Sequence, residues 1–427
     1  MVSTLRNAWK VKDLRKRILF TIGMILIYRM GNFIPVPGVD TSKIMNLTNN
    51  SGSLLGLYDM ISGGAFSKFS IFAMGVLPYI NSSIIIQLLT IAIPSLEQLS
   101  KEGETGRQKI QKYTRYTAVA LSILESLGFY FTIKSTGAIQ NDNKLSMFVI
   151  ILTISTGSTF LMWIGDRITE NGIGNGASFI IFASIISRLP SSIYNLYKLQ
   201  STGIVDIVSL TLVVVAAIVM FVLVVISILA ERRIPVQYAG KAAGGKIVKG
   251  QSSHIPINMN ASIIIAIIFA MSVMMFPATI AEFWPTSAFS KFVTGSPYSI
   301  FRSNSIPYII AYFVFIVFFT WFYTQVTFKP EEMSENMHKS AGFIPGIRPG
   351  EPTTRYIERV LDKVSLLGGL FAAFIVIVPM IVQMNNSGFK DIAFGSTGLL
   401  IVVGVALDTL RSLQSQLVMR HYHGFLK

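Results

Sequence analysis

Residues 53–70 read SLLGLYDMISGGAFSKFS, and residues 71–94 read IFAMGVLPYINSSIIIQLLTIAIP. The first run is amphipathic and rich in small residues. It is too polar to cross a bilayer, because a membrane-spanning helix needs about 20 mostly apolar residues. The second run is long enough but carries Gly75, Pro78, Asn81, Ser82, Ser83 and Gln87. A short helix that stops short of spanning, joined to a polar and Pro-kinked one that spans, predicts a segment folded in toward a cavity. Irregular backbone at membrane depth persists only where protein or water covers it. A loop helix at the outer surface, followed by an ordinary kinked span, fits the same pattern.

Composition sets the frame. The 427 residues are 52% hydrophobic and 13% charged, with a mean hydropathy of +0.58. A soluble chain of this length needs far more polar surface, so this is a polytopic membrane protein. The absence of cysteine excludes disulfides, thiol catalysis and Cys-ligated zinc. His254, His338, His421 and His423 lie in polar segments without metal-site or HExxH spacing. No metal, cofactor or redox chemistry is indicated.

Ten candidate spans emerge: 18–34, 71–93, 114–133, 147–165, 177–194, 206–229, 260–281, 306–327, 360–382 and 395–414. The basic amino terminus (Arg6, Lys10, Lys12, Arg15, Lys16, Arg17) resembles that of a signal sequence. The apolar run after it leads into NFIPVP at 32–37 without a small-residue cleavage site, so it reads as a retained first span. With the amino terminus inside, and with Arg115, Lys363 and Arg411 counted with the inside loops they border and Arg188 with the outer one, Lys and Arg divide 26 inside to 9 outside, Arg29 completing the 36. That bias predicts both termini in the cytoplasm. Ten spans split into two five-span halves, 1–200 and 201–427, which insert in opposite senses. Inverted halves are a common way to build a central pathway.

Three cytoplasmic loops, 95–113, 231–259 and 328–359, are long and polar. The second begins ERRIPVQYAGKAAGGK at 231–246 and continues to Lys249. It reads as a basic hairpin, with strands at 234–238 and 246–249 joined by a Gly-rich turn. The third contains GIRPGE at 346–351, a tight turn displaying Arg348. Lipid anchoring needs only positive charge and explains neither a structured hairpin nor a framed arginine. Displayed loop residues tend to carry function, which favours docking of a cytoplasmic partner.

Charges within spans are costly. Arg29 lies near the outer end of its span and reaches the interface by snorkelling. Asp408 is three residues before Arg411, and a helical ion pair is enough to hold it. Glu125 is deeper, in LSILESLG at 121–128, and is expected to face an interior or a polar neighbour such as Asn81. Val76 and Ile80 share one helix face, as do Ala177 and Ile181. Apolar rings seal pores by dewetting, and ordinary core packing gives the same spacing.

Taken together, several motifs resemble those of the SecY family of bacterial protein-conducting channels. They are SGGA at 62–65, SIFAMG at 70–75, PYINSSIIIQLL at 78–89, KEGETGR at 101–107, ITENGIGNG at 168–176, FPATI at 276–280 and GFIPGIRPGE at 342–351. They run in order along essentially the whole chain.

The resemblance implies an all-α polytopic membrane protein: ten transmembrane helices in two inverted five-helix halves around a central pore, with a short re-entrant plug helix at about 55–70. Leu57, Tyr58, Met60, Ile61, Gly63, Gly64 and Phe66 fall in that plug. The pore ring carries over to Val76, Ile80, Ala177, Ile181, Ile268 and Ile401, with Ala177 smaller than the aliphatic often found there. Asn81, Glu125 and Phe276 fall at the lateral gate. Arg232, Arg233, Lys241, Lys246, Lys249 and Arg348 match loops that receive the SecA ATPase or a ribosome.

The partners implied are SecE-like and SecG-like small subunits, SecA, a ribosome, signal-sequence-bearing polypeptides and anionic lipids. The location implied is the bacterial plasma membrane. No GxxxxGK[ST] is present, so the chain is expected to be a conduit and not an ATP-driven motor. Two rival readings predict different things. A secondary transporter needs paired polar groups at a midplane site. An intramembrane enzyme needs a partner for Glu125 such as a His, a Cys or a second deep acid.

Overall fold

The computed structural model describes residues 2–48, 59, 61–202, 206–238, 242–243, 246–247, 252–258, 263–282, 287–296, 299–302, 305–385 and 395–424. Every candidate span falls on a helix. In chain order these are α1 (Val2–Lys10), α2 (Lys12–Gly31), α3 (Thr41–Thr48), α4 (Leu77–Ala92), α5 (Pro94–Lys101), α6 (Glu104–Ser135) and α7 (Lys144–Asn171). There follow α8 (Gly176–Ser201), α9 (Ile207–Leu229), α10 (Ile263–Glu282), α11 (Ile306–Thr327), α12 (Pro330–Lys339), α13 (Glu351–Asn385) and α14 (Gly395–Gly424).

Among the described residues, seven helices are long and apolar enough to cross a membrane, and α4 with α5 makes an eighth as a bent pair. The two remaining expected spans lie on α2 and α10, which fall short of that length and composition among the described residues. The polar start KDLRKR dilutes α2, and the apolar part of α10 is the shorter stretch Ile263–Pro277.

The bend lies elsewhere than expected. Pro78 sits in the first turn of α4, where its missing N–H has no helical partner to lose. The 101° break falls between α4 and α5. There Ile93 is extended (φ −109°, ψ 113°) ahead of Pro94, because proline disfavours helical backbone in the residue before it. The stretch 71–76, expected to begin the second span, is a run of turns.

Helix neighbours follow chain order in the middle of each half of the sequence, while the first span of each closes on a later one, α2 on α7 and α9 on α14. α4 packs on α6, α6 on α7 and α7 on α8; in the second half α10 packs on α11 and α11 on α13. The two sets meet where α10 lies against α4 and α6, where α8 lies against α14 and α9, and where α1 lies against α14.

Beside the bundle lies a small β layer. β1 (Glu231–Tyr238) pairs antiparallel with β4 (Ser252–Asn258) along one edge and with β5 (Gly342–Phe343) along the other. β2 (Ala242–Ala243) and β3 (Lys246–Ile247) form a separate short pair. The expected pairing of 234–238 with 246–249 is therefore replaced by a longer ladder in which Ile234 faces Ile255 and Arg232 faces Ile257. The reason is burial. The longer register brings Ile234, Val236 and Ile257 into one core with Met337, Ile344, Ile357 and Leu361.

Candidate functional site

The segment after α3 turns inward. Asp59 and Ile61 are helical and residues 62–69 are consecutive turns, so where it is described the expected plug helix is a helical start that runs out into turns. Leu57, Tyr58 and Met60 lie outside the described residues. Ile61, Gly63 and Phe66 are buried, and Gly64 is half-buried. The backbone of this coil is tied to the strand-like run after α2: Val36 N donates to Phe69 O at 2.9 Å and Ile71 N to Ile34 O at 3.0 Å. Phe66 packs against Phe129 of α6 with the rings tilted by 53°, centroids 5.2 Å apart.

Gly63 has φ +67°, and a Cβ there would lie 2.9 Å from the Cα of Ser184. Only glycine combines that backbone with so close an approach. The Tyr28 hydroxyl donates to Ser62 O at 3.0 Å and shares a 2.5 Å hydrogen bond with Ser184 Oγ. Arg29, expected to reach for the interface, instead donates to Gly63 O at 3.4 Å.

Four residues assigned to the ring, Ile80 (α4), Ile181 (α8), Ile268 (α10) and Ile401 (α14), belong to one apolar cluster with Ile61, Phe66 and Phe69 of the infolded segment. Val76 and Ala177 fall in a second cluster, with Ala65, Phe72 and Ile180. The infolded segment thus contributes to both clusters, through Ile61, Phe66 and Phe69 to the first and through Ala65 to the second.

At the α4–α6 contact, Asn81 Nδ2 donates to Glu125 Oε1 at 3.0 Å, the polar neighbour that Glu125 was expected to find. Phe276 on α10 is 57% exposed. Ser272, one turn before it, has a buried Oγ without a hydrogen-bond partner. A lone hydroxyl in an otherwise apolar run was its only sequence signal. Asp408 is exposed, and the Arg411 guanidinium turns to Ile228 O at 3.2 Å in place of the expected pair with Asp408. A backbone carbonyl at a helix end offers a fixed acceptor that an exposed carboxylate does not.

On the β layer, Arg232 and Arg233 are exposed and Lys246 lies on β3. Lys241 and Lys249 fall outside the described residues. Arg348 is exposed between Gly346 (φ +81°) and Gly350 (φ +97°). Its carbonyl accepts from buried Thr353 Oγ1 at 2.9 Å, which fixes the turn.

A bundle of membrane-length helices, with an infolded segment packed on a many-sided aliphatic centre, defines a polytopic membrane protein of the channel class. The family model described as SecY matches residues 70–410. The protein translocase subunit SecY of Aquifex aeolicus is 40% identical, with 100% of each chain covered. The chain belongs to the SecY family. Two solved structures share its fold at 17% identity, each covering 95% of this chain and 93% of the other. One, described as the structure of a protein conducting channel, has a TM-score of 0.69. The other, Sec61 in the canine ribosome-channel complex from the endoplasmic reticulum, has 0.66.

Proposed function

We propose that this chain is the channel subunit of a bacterial protein translocase. It passes unfolded secretory polypeptides across the plasma membrane and releases sufficiently apolar segments sideways into lipid. The observation that carries this reading is the meeting of Ile80, Ile181, Ile268 and Ile401 with Ile61, Phe66 and Phe69 in one apolar cluster. Aliphatic walls offer few specific contacts, so they close by dewetting and still admit chains of any sequence. The segment around 55–70 is the plug, and Val76 and Ala177 complete the collar. The halves 1–200 and 201–427 close on each other like a clamshell.

The seam of α10 against α4 and α6 is the exit to lipid, with Asn81, Glu125 and Phe276 along it. Partition of a passing segment through that seam becomes favourable as its length and hydrophobicity grow. Arg232, Arg233, Lys241, Lys246, Lys249 and Arg348 form the cytoplasmic docking surface for SecA or a ribosome, one of which supplies the driving force. SecE-like and SecG-like subunits and anionic lipids complete the assembly, with both termini of this chain cytoplasmic.

The test uses the absence of native cysteine. Ile80→Cys should cross-link to a secretory chain stalled in transit. Failure to cross-link, together with labelling of position 80 by lipid-phase probes, overturns the reading.

A further inference from the structure

Within the infolded segment, Asp59 is only 2% exposed. Its carboxylate makes two different kinds of contact. Oδ1 accepts from Ser67 N at 2.7 Å, which closes the coil on itself. Oδ2 pairs with Nη2 of Arg188, on α8 and 129 residues away in sequence. The Asp59 carbonyl also accepts from Gly64 N at 2.9 Å, and the Cβ position of Gly64 lies 3.6 Å from Arg188 Nε. One acid therefore shapes the coil and fastens it to a spanning helix.

A buried ion pair is a poor source of net stability but is demanding about geometry, and removing one partner strands the other charge. Apolar packing alone, as of Phe66 on Phe129, tolerates sliding. A charge pair does not. This suits an element that must sit in one register yet leave when a chain arrives. The collar adds a reason for such a fastening, since Ala177 leaves one of its positions small and puts more of the closure on the segment.

We propose that Asp59 and Arg188 are positioning residues for the plug. Their ion pair latches the segment to α8, and its strength sets how readily a signal-bearing chain opens the channel. This rests on the reading of residues 55–70 as a plug.

The experiment compares four variants of the full chain, purified with its small subunits. Resting ion conductance is measured in planar bilayers, and export of a reporter with a shortened apolar signal core is measured in cells. D59N keeps an Oδ1 acceptor for Ser67 N while losing the charge; R188Q loses the opposite charge. Each should raise resting conductance several-fold and let the defective signal through. R188K, which keeps the charge, should stay close to wild type in both readouts. Deletion of 61–69 should leak at least as much as either single variant.

If the deletion leaks and D59N and R188Q do not, the latch is wrong and the plug stands. A deletion that leaves conductance unchanged overturns the plug reading itself. If R188K leaks as much as R188Q, charge is not what holds the segment, and the latch is again wrong.

Discussion

Asn81 on α4 donates a 3.0 Å hydrogen bond to the carboxylate of Glu125 on α6, joining two helices that both pack against α10. Glu125 is 9% exposed, so its acceptors matter: a hydrogen bond to a charged group is worth roughly 1.5–3 kcal/mol, and a buried acceptor left short costs more than the bond gains. Asn81→Leu should therefore lower the thermal unfolding midpoint of the purified protein. Asn81→Asp, which sets a second acid against the first, should lower it further. A wild-type midpoint for Asn81→Leu would mean that the bond holds nothing.

Gly63 gives a second, sharper case. With φ +67° and a would-be Cβ 2.9 Å from Ser184 Cα, alanine meets left-handed backbone and a backbone atom that has nowhere to go. The left-handed conformation alone costs an ordinary residue about 1–2 kcal/mol. Gly63→Ala should unseat the segment and increase resting ion leak without changing the amount of protein in the membrane. Gly137 has φ +69° with open space around its Cβ position. Gly137→Ala is therefore the control for strain without collision, and it should not leak. Equal leak from both variants would assign the effect to backbone strain in general and not to the contact with α8.

The contrast between what the sequence foretold and what it hid follows distance along the chain. Helix positions were legible where a span is a long apolar run, as in 206–229 and 306–327. Arg348 was legible because Gly346 and Gly350 frame it locally. The Asn81–Glu125 bond was within reach because a deep acid on one span and an amide on the preceding one leave few alternatives.

Other features depend on partners that no local pattern names. Tyr28 and Ser184 are 156 residues apart, and Asp59 and Arg188 only 27 fewer. Arg29 reads from sequence as a snorkelling end, yet it reaches the infolded segment, as does Arg188. The bend was assigned to Pro78 because both prolines break helices. Only the structure reveals that one begins α4 while the other ends it. The hairpin partner was missed for a related reason: charge drew the eye to 246–249, while burial of Ile257 decided the register.

Arg348 stands exposed on a turn whose backbone is fixed by Thr353. A residue held out this way acts through its own head group, and the rest of the molecule should not notice its loss. Arg348→Glu should cut SecA-driven export of a secretory reporter severely, while the protein itself inserts and accumulates as wild type. Arg355→Glu lies one turn into the adjoining helix and already faces Glu351 at 2.7 Å. It should do less. Normal export by the Arg348 variant would remove this turn from the docking surface.

The proposed docking residues share a foundation, and it makes a prediction about shape. Ile357, at the start of α13, is fully buried against Ile234, Val236 and Ile257 of the β layer and Met337 of α12. Through this core the strand carrying Arg232 and Arg233 and the turn carrying Arg348 are held in one frame, although they come from loops about a hundred residues apart. Truncating a fully buried isoleucine costs about 2–5 kcal/mol, and a small core of this kind has little else to draw on. Ile357→Ala should leave the spanning helices inserted but expose loops 231–259 and 328–359 to trypsin together. Export should fall as it does for Arg348→Glu, with no change in charge anywhere. Cleavage confined to one loop would show that the two arginine sites are built separately and that no common core positions them.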